Sequence, residues 1–253
     1  MPAPVLPGAE PLSVTGDTRG ALVLHGFTGN PFSLRGVADQ LAAAGLSVEL
    51  PLLPGHGTSI EDMVPTRWPD WSAAADAAYL DLAARCERVV VVGHSMGGTL
   101  ANGLAASHPE IAGLVLVNPF VEPPDAELVA SVHELLDAGA VIAPGIGADI
   151  ARSDAEERSY DASPLEAALS LFEGAGAVAE RLGEIRCPVL LLSSREDHVV
   201  PPASGDRLAA AVAGPVERVW LERSYHVATL DYDRDEIEAR TVAFALSVLG
   251  DER

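Results

Sequence analysis

The chain has 253 residues, 48% of them hydrophobic, and 37 acidic residues against 16 basic ones, all arginine, give a formal net charge of −21. That length suits one domain carrying an insertion, with enough chain for a full core, and the apolar content excludes a disordered polymer. The acidic balance argues against nucleic acid and anionic lipid headgroups as partners, and no segment approaches the run of about 18 apolar residues that a membrane span needs.

Met1-Pro2-Ala3-Pro4-Val5-Leu6 has neither the cationic start nor the apolar stretch of a signal peptide. A short antiparallel edge pair is expected over 12–19, followed by apolar strand runs near 20–25 and 46–52 with a helix at 32–44 between them. Gly45 reads as the end cap of that helix. A helix over 69–85 leads to a strand at 88–93, a helix at 96–107 and a strand at 113–118. Further strands are expected at 187–193 and 216–221, with helices at 203–213 and 234–249. Pro31, Pro69 and Pro202 stand at or just before helix starts, where proline is tolerated. This alternation predicts a mostly parallel, doubly wound α/β sheet.

Residues 120–183 break the alternation. The pieces 126–138, 154–160 and 164–174 read as short helices, and no convincing strand stands among them. The run from Val141 to Gly147 is apolar and irregular, and Ile146 within it is a candidate wall of an apolar channel. Cys86 and Cys187 each border a strand run and read as reduced packing residues of a cytoplasmic protein.

The chemistry is concentrated at Val89-Val90-Val91-Val92-Gly93-His94-Ser95-Met96-Gly97. Four β-branched residues make a strand buried on both faces, and it runs into G-x-S-x-G. Small residues two before and two after the serine allow a sharp strand-to-helix turn that lifts the Ser95 hydroxyl out of the sheet. A serine hydroxyl needs a histidine to take its proton and an acid to orient that histidine. Asp197 follows the strand run at 187–193 and His226 follows the one at 216–221, in the acid-then-histidine order that such a serine requires. Glu196 is the alternative acid; His198, next to Asp197 in sequence, reads as structural. The early strand run ends in His25-Gly26-Phe27-Thr28-Gly29, so backbone N–H groups of Phe27 and Met96 are the candidate oxyanion donors. His25 and His56 read as loop braces, and Trp68 and Trp71 as packing residues. No cluster has metal-ligand spacing and no phosphate loop is present, so no cofactor is expected.

His25-Gly26-Phe27-Thr28-Gly29, Leu53-Pro54-Gly55-His56-Gly57-Thr58, Ser95-Met96-Gly97-Gly98-Thr99-Leu100, Glu196-Asp197-His198-Val199-Val200-Pro201-Pro202 and the stretch from Ser224 to Asp233 resemble the bacterial monoacylglycerol lipases and small carboxylesterases of the α/β-hydrolases. The resemblance runs from about Ala21 to the C-terminus and thins between Phe120 and Gly183. It implies an α/β-hydrolase core at 1–119 and 184–253, with a small helical cap over 120–183 inserted after the sixth strand. It also implies Ser95 as nucleophile, Asp197 as acid, His226 as base, and Phe27 with Met96 as oxyanion donors. Glu157, in Asp154-Ala155-Glu156-Glu157-Arg158-Ser159-Tyr160, stands where a cap glutamate of these lipases reaches the glycerol hydroxyls; Glu156 takes that place if the alignment slips by one. The implied activity is hydrolysis of monoacylglycerols or similar medium-chain esters through an acyl-enzyme, without a stable membrane anchor. A perhydrolase or acyltransferase using the same triad, and a slowly turning-over ligand sensor on the same scaffold, are the alternatives.

Overall fold

The computed structural model of the chain describes residues 3–122, 124–145 and 148–250. Its centre is a set of strands with continuous apolar interiors: β2 (Arg19–Leu24), β4 (Arg88–His94), β5 (Gly113–Val117) and β8 (Val189–Ser194) are buried almost throughout. Such strands suit only a parallel sheet covered on both faces. With β1 (Leu12–Val14), β3 (Ser47–Leu50) and β9 (Val216–Leu221) they form a seven-stranded sheet in the order β1-β3-β2-β4-β5-β8-β9. Every pairing is parallel except β1 on β3.

The period of two along each strand divides the core between the faces. Leu22, Leu24, Val91, Leu114, Leu116 and Leu191 pack on one side with α3 (Trp68–Ala83), α4 (Met96–Ser107) and α6 (Leu165–Ala179). Ala21, Val23, Val90, Val92, Val115 and Leu190 pack on the other with α1 (Arg35–Ala43) and α8 (Arg234–Leu249). A turn of helix, α2 (Ile60–Met63), precedes α3, and α7 (Ala203–Ala211) links β8 to β9. Gly45, at φ 94°, closes α1 as expected. Among the described residues no helix is long and apolar enough to cross a membrane.

Four expectations are corrected. The N-terminal edge is one strand, β1, rather than a hairpin pair. Gly16 is pressed so closely on the backbone of Gly45 and Leu46 that a methyl there would stand 2.2 Å from the Gly45 carbonyl oxygen, and the chain turns there instead of pairing. The insertion therefore follows the fifth strand of the chain, β5, not the sixth.

Inside the insertion, α5 (Ala126–Asp137) and α6 form where helices are predicted, but β6 (Ile142–Pro144) and β7 (Ala162–Pro164) make a short antiparallel ribbon where no strand is expected. The segment 154–160 is not a helix. Its polar groups are committed to the core: the Tyr160 N–H donates to the Thr28 carbonyl at 3.0 Å, and the Arg158 carbonyl accepts from the Asn30 amide. The Tyr160 hydroxyl accepts from the Thr58 N–H at 2.9 Å and donates to the Gly55 carbonyl at 3.0 Å. Ile146 lies outside the described residues.

Candidate active site

Ser95 sits between the last residue of β4 and the first of α4 with φ 52° and ψ −118°, in the left-handed half of the backbone map that a side chain rarely occupies. The turn is possible because its flanks are glycines: a methyl on Gly97 would stand 2.0 Å from the Leu24 carbonyl oxygen, and one on Gly93 2.2 Å from the Gly97 carbonyl oxygen. Hydrogen bonds hold the bend, with the Ser95 N–H donating to the Val117 carbonyl at 3.1 Å and its carbonyl accepting from Gly98 at 2.9 Å and Phe120 at 3.1 Å. The Ser95 side chain is half-buried at the end of this turn.

His226 comes from the loop after β9 and is 6% exposed. Its Nδ1 meets Asp197 Oδ2 at 2.8 Å, which fixes the proton on Nδ1 and leaves Nε2 as the acceptor. The other oxygen of Asp197 accepts the backbone N–H groups of Val199 at 2.9 Å and Val200 at 2.7 Å, because the loop after β8 folds back over its own carboxylate. Burial alone would push the Asp197 carboxyl up. The hydrogen bond and charge of His226, with the two backbone donors, outweigh it and hold the group below the ordinary carboxylate value. Glu196 takes no part in this arrangement and is exposed.

The His226 backbone carbonyl is gripped by two core side chains. His94 Nε2 lies 3.0 Å from it and Asn118 Nδ2 donates to it at 2.8 Å. The His94 and His226 rings are 4.9 Å apart, which brings the His226 ring beside the elbow. Asn118, at φ 44°, also accepts the Ser194 N–H at 2.7 Å, so it ties the ends of β5 and β8 to the histidine loop.

The loop after β2 faces the elbow from the other side. A methyl on Gly26 would come within 3.3 Å of Ser95 Cβ. Among the described residues, no acceptor takes up the backbone N–H of Phe27 or of Met96. His25 braces this loop: its Nδ1 donates to the Gly26 carbonyl at 3.0 Å and its Nε2 accepts the Leu53 N–H at 3.2 Å. His56 packs edge-on to His25 with ring centroids 5.0 Å apart, and its Nδ1 donates to the Pro54 carbonyl at 2.9 Å. Trp71 is fully buried and donates Nε1–H to the same carbonyl at 3.1 Å; Trp68 lies against Gly174.

Glu157 and Glu156 separate clearly. Glu156 is exposed, whereas Glu157 turns inward and a methyl on Gly29 would stand 3.6 Å from its Oε1. Burial pushes the Glu157 carboxyl up, opposed by the hydrogen bond from the Ser159 hydroxyl at 3.2 Å and by the field of His226. No cluster of three or more His, Cys, Asp or Glu side chains able to hold a metal exists among the described residues.

Sequence reasoning missed the supports of His226: His94, Asn118 and, from the insertion, Asp149, whose carboxylate accepts the His226 N–H at 3.0 Å. Only Asn118 carried a signal, as an asparagine ending a buried strand, where its side chain tolerates a left-handed turn.

A strand-borne serine at a strained elbow, a histidine held by a buried aspartate on later strands, and a facing loop of free N–H groups define a serine hydrolase of the α/β-hydrolase fold. The family of serine aminopeptidases, S33, matches residues 17–233. The thermostable monoacylglycerol lipase of Bacillus sp. (strain H-257) is 42% identical over 246 residues, 95% of this chain and 96% of that one. A solved structure from work on LipS and LipT, two metagenome-derived lipolytic enzymes, superposes with a TM-score of 0.92 at 39% identity, covering 96% of this chain and 100% of that one. The monoacylglycerol lipase of Paleococcus ferrophilus shares the fold at a TM-score of 0.75 and 20% identity, over 94% of this chain and 99% of its own. The chain belongs to the serine aminopeptidase, S33 family, and within it is a carboxylic ester hydrolase similar to the monoacylglycerol lipases.

Proposed function

We propose that the chain cleaves monoacylglycerols and similar medium-chain carboxylic esters, with Ser95 as nucleophile, His226 as general base and Asp197 as its orienting acid. The observation that carries the reading is the 2.8 Å bond between His226 Nδ1 and a buried Asp197 beside the strained Ser95 elbow. Nε2 of His226 takes the Ser95 proton as Oγ attacks the ester carbonyl. The backbone N–H groups of Phe27 and Met96 receive the charge that develops on the carbonyl oxygen. Collapse of the tetrahedral adduct breaks the bond to the alcohol, which leaves with the proton from His226. Water then attacks the acyl-enzyme with His226 again as base, releasing the acid and restoring Ser95.

Residues 120–183 are proposed as the cap over the core formed by 1–119 and 184–253. Glu157 is proposed as the residue that reads the alcohol. A carboxylate accepts from two neighbouring hydroxyls, and the inward turn of Glu157 beside the oxyanion loop favours it over exposed Glu156. The substrate assignment is supported by the 42% identity to a monoacylglycerol lipase. A cytoplasmic location is proposed, in keeping with two free cysteines.

The test is steady-state kinetics on a monoacylglycerol series. Ser95→Ala and His226→Ala should each lower kcat by about 10⁴-fold or more, and the double variant should be little worse than either, because the triad acts as a unit. Retention of more than a few per cent of activity by Ser95→Ala sinks the mechanism, and preference for triacylglycerols sinks the substrate assignment.

A further inference from the structure

Neither the proton transfers nor the packing of the core accounts for a strap of hydrogen bonds between the insertion and the histidine loop. Its centre is Asp149, between β6 and β7. One carboxylate oxygen of Asp149 accepts the backbone N–H of His226 at 3.0 Å and that of His198 at 3.1 Å, while the other meets His198 Nδ1 at 2.8 Å. Its backbone carbonyl accepts the Val227 N–H at 3.0 Å. A second aspartate works in the reverse sense from the core side. The Asp231 carboxylate accepts Ala151 at 2.7 Å and Arg152 at 3.1 Å from the insertion, and Tyr225 at 3.0 Å and Tyr232 at 2.8 Å from its own loop.

His226 lies in a loop, so neither of its backbone groups has a partner in a sheet or helix ladder. The core supplies partners for the carbonyl only, through His94 and Asn118. Among the described residues the N–H is taken up by the insertion alone, through Asp149. The segment that carries the base is therefore held from both sides, and one of the two hands belongs to the insertion.

We propose that Asp149 is a positioning residue: its carboxylate holds the His226 backbone in register with Asp197 and Ser95, so that seating of the insertion on the histidine loop is a condition for a competent triad. The inference rests on the reading of His226 as base. A carboxylate suits the place because one charged oxygen takes both backbone N–H groups while the other meets the His198 ring; an amide keeps a single, neutral accepting oxygen, which holds the two N–H groups less strongly. Asp149 touches neither substrate nor the reacting atoms. Its effect passes through the placement of the imidazole, where an error of about 1 Å costs roughly 10²-fold in rate.

The test compares Asp149→Asn with the unaltered enzyme on a monoacylglycerol and on p-nitrophenyl acetate, a substrate too small to fill a cap. The expected result is a kcat about 10- to 100-fold lower on both substrates, with KM within about three-fold of the unaltered enzyme on each. Unchanged kcat, or a loss seen only as a raised KM for the long-chain substrate, overturns the proposal, because a residue that merely shapes the pocket behaves that way. If Asp149→Asn loses its near-ultraviolet circular dichroism, His198→Ala carries the test, since it removes a donor that orients the carboxylate and leaves the bond to His226. There a kcat lowered about three-fold on both substrates at unchanged KM supports the proposal, and unaltered kcat refutes it. His226→Ala separates the two levels of argument. An active His226→Ala enzyme means the reading of the base is wrong, whereas an inactive one beside a fully active Asp149→Asn means that only the role of Asp149 is wrong.

Discussion

Three histidines around the site make the fold sensitive to acid. His25, His56 and His94 are buried to 1–3% exposure or less. Burial lowers His25 and His94 to about 3 and His56 to about 4, with the neighbouring imidazoles adding to the effect on His25 and His94. The geometry requires the neutral form independently. Nε2 of His25 accepts the Leu53 N–H, and Nε2 of His56 is buried without a hydrogen-bond partner among the described residues, so a proton on the first would face a donor and one on the second would find no acceptor there. A histidine whose folded value is depressed contributes stability that is complete above its unfolded value of about 6.5 and is lost as pH falls toward the folded value. Between pH 8 and pH 5 each of the three should cost about 2 kcal/mol, and together about 6 kcal/mol. That is comparable to the whole stability of many domains, about 5–15 kcal/mol.

Urea unfolding followed by tryptophan fluorescence at pH 8, 7, 6 and 5 measures the loss, and the slope below pH 6 should approach three protons. His198 acts in the opposite sense. The Asp149 carboxylate beside it raises its value, so its contribution is present below about 6.5 and disappears as pH rises through the folded value. It is solvent-exposed and cannot offset three buried rings. The depressed Asp197 loses its contribution only further down, below about 3.9, outside this window. His56→Gln should lower stability at pH 8 and flatten the curve by about a third. A stability that changes by less than about 1 kcal/mol between pH 8 and pH 5 refutes the reasoning.

Other outcomes follow from single contacts. Gly97→Ala places a methyl 2.0 Å from the Leu24 carbonyl oxygen, backbone against backbone, and should abolish activity with a fall in stability of several kcal/mol, about 3 or more; a soluble, active Gly97→Ala enzyme contradicts the packing of the elbow. Glu157→Ala should slow monoacylglycerol cleavage far more than cleavage of a p-nitrophenyl ester of equal chain length, by about 10-fold or more, since a charge-assisted hydrogen bond is worth about 1.5–3 kcal/mol. Equal losses on both substrates mean that Glu157 does not read the alcohol. Because burial keeps His25, His56 and His94 neutral down to about 3–4, none of the three should add a proton to the acid side of the kcat/KM profile; a slope of two or more protons above pH 5 contradicts that.

What could be read in advance was whatever rests on local chemistry. Strands β2, β4, β5 and β8 announce themselves because a parallel sheet buried on both faces tolerates only apolar residues. The Ser95 elbow is legible because its glycines answer to carbonyl oxygens four residues away or on the neighbouring strand. The insertion was harder. The ribbon β6–β7 is three residues on each side, too short for alternation to show. The stretch 154–160 has helix-forming residues, yet its backbone is spent on Thr28 and Asn30, more than a hundred positions away. The grip on His226 by His94, Asn118 and Asp149 is invisible for the same reason, since those hydrogen bonds span between 77 and 132 positions of sequence.

The non-glycine residues with positive φ among the described residues are Thr28 at 60°, Ser95 at 52° and Asn118 at 44°. Each costs on the order of 1–3 kcal/mol and persists only where its surroundings over-determine it. They follow β2, β4 and β5, three strands adjacent in the sheet, at the carboxyl edge where open α/β sheets gather their sites. Each bends a different part of the site: Thr28 turns the loop after β2, Ser95 lifts its own hydroxyl and Asn118 clamps the His226 loop. Backbone bonds hold two of them. Ser95 donates to Val117, the neighbour of Asn118 in β5, and Thr28 accepts from Tyr160, whose hydroxyl braces the loop around Gly55. The interior of the sheet, apolar and regular, supplies the stability that allows its edge to be strained. Because the Ser95 bend is bonded to Val117, next to Asn118, and Gly26 of the loop that Thr28 turns lies against Ser95 Cβ, relaxing the Ser95 elbow should disturb both of its neighbours.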